Sequence, residues 1–181
     1  MKVIASFALL SLLWVTPASA SQSVLPQELR TELADAQLAG RAKLKVLGFQ
    51  IYDAALWVTP GFKSKAFAEH AFALELTYLR KVSSEDIASR SIEEMRRSAA
   101  LSPEQESKWL QQMRQTFPDV QTGDRLTGFH RPGIGASFHF NGKFKGEIRD
   151  PAFARLFFGI WLSETTAKPS VRQALLAGLT E

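Results

Sequence analysis

From residue 41 the chain alternates with a period of two. Arg41, Lys43 and Lys45 interleave with Ala42, Leu44 and Val46, the pattern of a strand with one wet and one buried face. After Gly48, Phe49 to Tyr52 leads into Ala54 to Val58, a more continuously apolar strand that Pro60-Gly61 stops. Phe72 to Tyr78 reads as a third strand. The period then lengthens. Ala88, Ile92, Met95 and Ala99 recur at helical spacing behind Ser83 and Asp86, a capping pair. A second helix starts at Ser102-Pro103 with Gln105 three residues after the cap, and Phe117-Pro118 ends it near Thr116. Strands return over 124–130 and from Ala136. Asn141-Gly142 predicts a two-residue type I′ turn between Ala136–Phe140 and Lys143–Ile148. Asp150-Pro151 then opens a helix that is apolar nearly all round, and a last amphipathic helix runs from Pro169 towards Gly178. The stretch from Leu25 to Leu38 reads as a polar lead-in with some helix.

Strands first, a helical middle, a hairpin and two closing helices predict an α+β fold with a large antiparallel sheet under a layer of helices. No regular alternation of strand and helix supports a doubly wound parallel sheet.

The first twenty residues stand apart. Lys2, the apolar run Val3–Val15 and the small residues of Ala18-Ser19-Ala20 predict a signal peptide cut after Ala20. The expectation is therefore a periplasmic or secreted protein, with residues 21–181 as one domain. The apolar run falls short of the ~20 residues that cross a bilayer, so no membrane span is expected. Of 22 basic residues one is Lys2, and the remainder barely exceed the 18 acidic ones. That balance argues against nucleic-acid binding. The chain has no cysteine, which excludes thiol nucleophiles, disulfides and cysteine-based metal sites.

Familiar catalytic patterns are missing. His70, His130 and His139 form no close ligand pair, no metal site is expected, and there is no G-x-S-x-G elbow. Glu147 and Asp150 could pass for an acid pair, but Asp150 is better explained as a helix cap. The unusual place is the first hairpin. A tight turn at Leu47-Gly48 would set Lys43 opposite Tyr52 and Arg41 opposite Ala54. Arg41 would then sit diagonally from Tyr52 on one face. A guanidinium beside a phenol over an apolar floor is a carboxylate clamp. The plainer reading of Arg41, Lys43 and Lys45 is a solvated strand face.

Four segments, KVLGFQIYDAALWV, GDRLTGFH, FHFNGKFKGEIRDPAFARLFFGIWLS and KPSVRQALL, together resemble the chalcone isomerase-like family in its exported bacterial branch. The resemblance covers about residues 35 to 177. It implies an open-faced β-sandwich with a ligand cleft between sheet and helices, and no cofactor. The plant isomerases of that family close a flavanone ring, using an arginine on the first strand of this motif and a threonine. Tyr52 falls where the threonine would be, and Arg41 meets the arginine position only after a one-residue shift. Fatty-acid-binding relatives grip a carboxylate with arginine and tyrosine, which Arg41 and Tyr52 match better.

The resulting expectation is a non-catalytic protein that binds a fatty acid or similar amphipathic carboxylate. Arg41, Lys43, Tyr52, Leu56, Phe138, Phe157 and Trp161 are its candidate ligand-binding residues. Two alternatives stay open. One is a cofactor-independent isomerase with Arg41 and Tyr52 as catalytic groups; the other is a partner-binding module without a small ligand. Oligomeric state is not legible from the sequence.

Overall fold

The computed structural model describes residues 25–179. The leader expected over residues 1–20 lies outside them. Six strands form one antiparallel sheet in chain order: β1 (Gln37–Val46), β2 (Phe49–Val58), β3 (Phe72–Tyr78), β4 (Arg125–Arg131), β5 (Gly135–Phe140) and β6 (Lys143–Ile148). Ahead of the sheet lies a short helix, α1 (Gln27–Glu32). The β3–β4 connection carries α2 (Ser84–Ser98) and α3 (Pro103–Thr116), while α4 (Pro151–Leu162) and α5 (Pro169–Leu175) close the chain. The predicted α+β arrangement, a large antiparallel sheet with a helical layer, is the observed one. Strand β1 begins earlier than its charge alternation announced, at Gln37.

Helix starts follow from caps. The Ser83 hydroxyl accepts the Asp86 N–H at 3.0 Å. Ser102 and Gln105 satisfy each other's backbone N–H groups in a full capping box. One Asp150 oxygen takes the N–H groups of Ala152 and Phe153, at 3.0 and 3.1 Å. Each cap satisfies donors that the first helical turn cannot.

Strand alternation sorts side chains between two faces. The inner face carries Tyr52, Leu56, Phe72, Leu74, Leu126 and Phe138 against α4 and its neighbours, and this is the main core. Phe153, Phe157, Phe158 and Trp161 supply the helical side of it. The outer face is mostly polar. There Leu29 and Leu33, from α1 and the residue after it, cover a small patch of Ala55, Trp57, Ala73 and Phe129. Lys43–Asp53, Arg131–Glu32 and Arg125 with Glu28 and Glu75 pair across the rest. Among the described residues no helix is long and apolar enough to cross a membrane.

His130 occupies the inner face, stacked on Phe72 with centroids 4.8 Å apart, its Nδ1 2.9 Å from the His70 carbonyl oxygen. Burial holds its pKa below the ordinary 6.5, against the opposing pull of that hydrogen bond. Below about pH 6.5 the unfolded chain takes up the proton before the folded one does, so stability falls as pH drops through the folded pKa. Thermal melts from pH 7.5 downward should show this loss, and His130→Phe should flatten it. An unchanged pH slope in the variant would remove His130 as the cause.

Candidate functional site

A cavity of about 500 Å³ lies between the inner face of β1–β3 and helices α2 and α4. Its volume falls within the range of small-molecule sites. Leu44, Ile51 and Leu76 line it from the sheet, Ile87 from α2, and Phe157 and Ile160 from α4. Two phenols, Tyr52 and Tyr78, interrupt this apolar lining, their rings 5.8 Å apart edge to face. The charged lining comprises Arg80, Lys81, Arg90 and Lys168 with Asp86, Glu93 and Glu94. Arg90 pairs with Glu93, and Glu94 with Arg97. Arg80, Lys81 and Lys168 form no ion pair among the described residues.

The Trp161 indole N–H donates to the Tyr52 hydroxyl oxygen at 2.9 Å. Tyr52 thereby keeps its own proton for another acceptor, and no described residue takes it. The Tyr78 hydroxyl likewise has no partner among the described residues. Burial pushes both phenols well above their ordinary pKa. For Tyr52 the Trp161 hydrogen bond works against that rise and the Glu94 charge adds to it. Two neutral O–H donors on an apolar wall suit a ligand with one polar, oxygen-rich end.

The first hairpin corrects the expected clamp. Val46 pairs with Phe49 and Lys45 with Gln50, as a two-residue turn requires, but Leu44 pairs with Tyr52. Ile51 is the extra residue of a bulge, and its carbonyl accepts the Leu79 N–H at 2.9 Å. A one-residue slip exchanges the faces of a strand. Lys43 therefore lies opposite Asp53 and Arg41 opposite Ala55. The Arg41 guanidinium sits on the outer face, 6.0 Å from the Trp57 ring centroid, with the whole sheet between it and the cavity. Lys43 bonds Asp53 at 2.8 Å and Gln50 at 3.1 Å on that same side. The neighbouring inner-face position is Ala42, half-buried against the main core. Arg41 and Tyr52 do not converge.

The other expected residues divide. Tyr52, Phe157 and Trp161 line the cavity. Leu56 is on the right face but fully buried in the core, paired with Leu74. Phe138 is also core, edge-on to Phe117 at 4.9 Å and to Phe157 at 5.5 Å. Sequence reasoning missed Tyr78 and the cations after it. A tyrosine ending a strand, with Arg80-Lys81 two and three residues after it, was the available signal.

Three comparisons bear on this site. A family model described as chalcone isomerase-like matches residues 19–177. No curated protein matches. Among solved structures, the crystal structure of the Arabidopsis thaliana fatty-acid binding protein AtFAP1 superposes with a TM-score of 0.63. The alignment covers 79% of this chain and 87% of that one, at 13% sequence identity. At that identity the likeness establishes a shared fold.

Proposed function

The chain belongs to the chalcone isomerase-like family, and from that premise we propose that it is an exported, non-catalytic protein that binds a fatty acid or similar amphipathic carboxylate in the cleft between sheet and helices. The observation that carries the reading is the cavity itself: an apolar lining, two proton-donating phenols and unpaired cations in one enclosure of about 500 Å³. The alkyl chain would lie among Leu44, Ile51, Leu76 and Phe157. Lys81 and Lys168 would meet the carboxylate, and Tyr52, held by Trp161, would donate to it or to a second oxygen of the ligand. Fatty-acid binding by AtFAP1, a protein of the same fold, supports the choice of ligand class. The charged anchor assigned to Arg41 on sequence grounds passes to residues of the β3–α2 loop and of the segment before α5. Nothing specific favours the isomerase reading, in which Arg41 would be a catalytic group, because Arg41 lies across the sheet from the cavity.

Expressed from its full chain in a bacterial host, the protein should be recovered from the periplasm beginning at Ser21. After delipidation it should bind a fluorescent fatty acid and prefer a fatty acid to the matching alcohol. Charge-assisted hydrogen bonds are worth about 1.5–3 kcal/mol each, so Lys81→Glu combined with Lys168→Glu, which removes two, should weaken acid binding by about 100-fold or more. Binding of the alcohol should change little. Equal affinity for acid and alcohol in the wild type would sink the carboxylate assignment, and no uptake of either would sink the ligand class.

A further inference from the structure

The turn of the first hairpin breaks a local rule that the second hairpin keeps. Asn141-Gly142 makes its turn with φ values of +48° and +82°, and Leu47-Gly48 adopts almost the same pair, +49° and +82°. Asparagine tolerates the left-handed region; a leucine there is strained and uncommon. Burial does not compensate, because Leu47 is 93% exposed. Its neighbours Phe49 and Val46 are 63% and 38% exposed. Three apolar side chains thus stand in water at one tip, which folding does not explain.

The surroundings say what the tip fits. Lys45 is exposed beside it with no partner among the described residues. Arg80 lies over the Phe49 ring at 5.3 Å and lines the cavity. Val46 lines the cavity too, with Leu44 and Ile51 behind it, so an apolar path runs from the tip into the cleft. We propose that this hairpin tip docks on anionic lipid surfaces, inserting Leu47 and Phe49 among the acyl chains while Lys45 and Arg80 meet the head groups. Apolar anchors with adjacent cations are the combination that binds such surfaces reversibly. Docking this way would bring the cavity mouth against the membrane, where an amphipathic ligand enters or leaves; that consequence, unlike the docking, rests on the ligand reading above.

Vesicle co-sedimentation tests it. The wild type should bind phosphatidylglycerol-rich vesicles and bind phosphatidylcholine vesicles weakly. Binding should decline as salt rises from about 0.1 M to about 1 M, because the screening length shrinks. Leu47→Asn relaxes the turn and should leave the fold at least as stable, yet weaken vesicle binding about tenfold. Adding Phe49→Thr should weaken it further, and Lys45→Glu should reduce the preference for anionic lipid. Fatty-acid affinity in vesicle-free solution should be unchanged in Leu47→Asn. Wild-type protein that ignores anionic vesicles at low salt, equal binding by Leu47→Asn, or a dimer sealed through the tip in sedimentation velocity overturns the proposal. Vesicle binding without fatty-acid uptake would uphold docking and refute the ligand reading instead.

Discussion

Replacing Asp150 with alanine should destabilise the protein by about 2–4 kcal/mol, the combined cost of a lost helix cap and an orphaned buried donor. One oxygen of this carboxylate caps α4; the other accepts the Trp109 indole N–H at 3.0 Å and lies 3.3 Å from the Lys108 ammonium. Trp109 is almost wholly buried, so its N–H would find no water. Burial alone would raise the carboxyl pKa, but the bonds from Trp109, Phe153 and Lys108 keep it below the ordinary 3.8. The stabilisation is therefore complete above about pH 4 and disappears as pH falls through the depressed folded value. Asp150→Asn keeps a single acceptor oxygen: with that oxygen capping α4, its NH2 faces the Trp109 N–H, so the cap survives, the indole bond is lost and the cost should be about 1–3 kcal/mol. Urea unfolding at neutral pH separates the two variants. If Asp150→Asn unfolds together with the wild type, the indole bond does not contribute as described.

Gly40→Ala should be comparably damaging through a different cause. A Cβ built there would lie 2.5 Å from the Leu175 carbonyl oxygen and closer still to that of Ala174. These are backbone atoms at the end of α5, so no side-chain rotation relieves the clash. Either β1 bends or α5 lifts, and lifting uncovers Val171 and Leu175, both buried. Overpacking typically costs about 1–3 kcal/mol, and each uncovered aliphatic side chain about 1.5–3 kcal/mol. The expected outcome is a loss of about 2–4 kcal/mol with faster amide exchange confined to α5 and the start of β1. Wild-type stability, or exchange that rises uniformly, would show that the close approach is not critical.

Where sequence decided structure locally, it was readable. Ser102 with Gln105, Asp150 with Pro151, and Asn141 with Gly142 each act within four residues, and their elements start and turn as those pairs dictate. The Phe-rich helix from Pro151 had to be buried, and it is. The first hairpin was different. Leu47-Gly48 set the initial pairing as expected, but the bulge at Ile51 depends on a third strand, through the Leu79 N–H. Nothing between residues 41 and 58 announces it, and one extra residue moved Arg41 from the cleft to the far side of the sheet. The unpaired cations share this limit, since Lys81 and Lys168 are far apart in the chain and reach one cavity only through the packing of α2, α4 and α5.

The helical pair α2–α3 is a single excursion between adjacent strands. Its base is closed by Val82 and Val120, which exchange backbone hydrogen bonds of 3.1 and 3.0 Å. Its far side is fastened to α4 through Trp109 and Asp150. One wall of the cleft is thereby tied both to the sheet and to the helix that faces it, and its buried Ile92, Met95 and Met113 belong to the same core as the strands. A change that loosens the Asp150 cap therefore loosens that wall as well, so ligand retention and overall stability should weaken together.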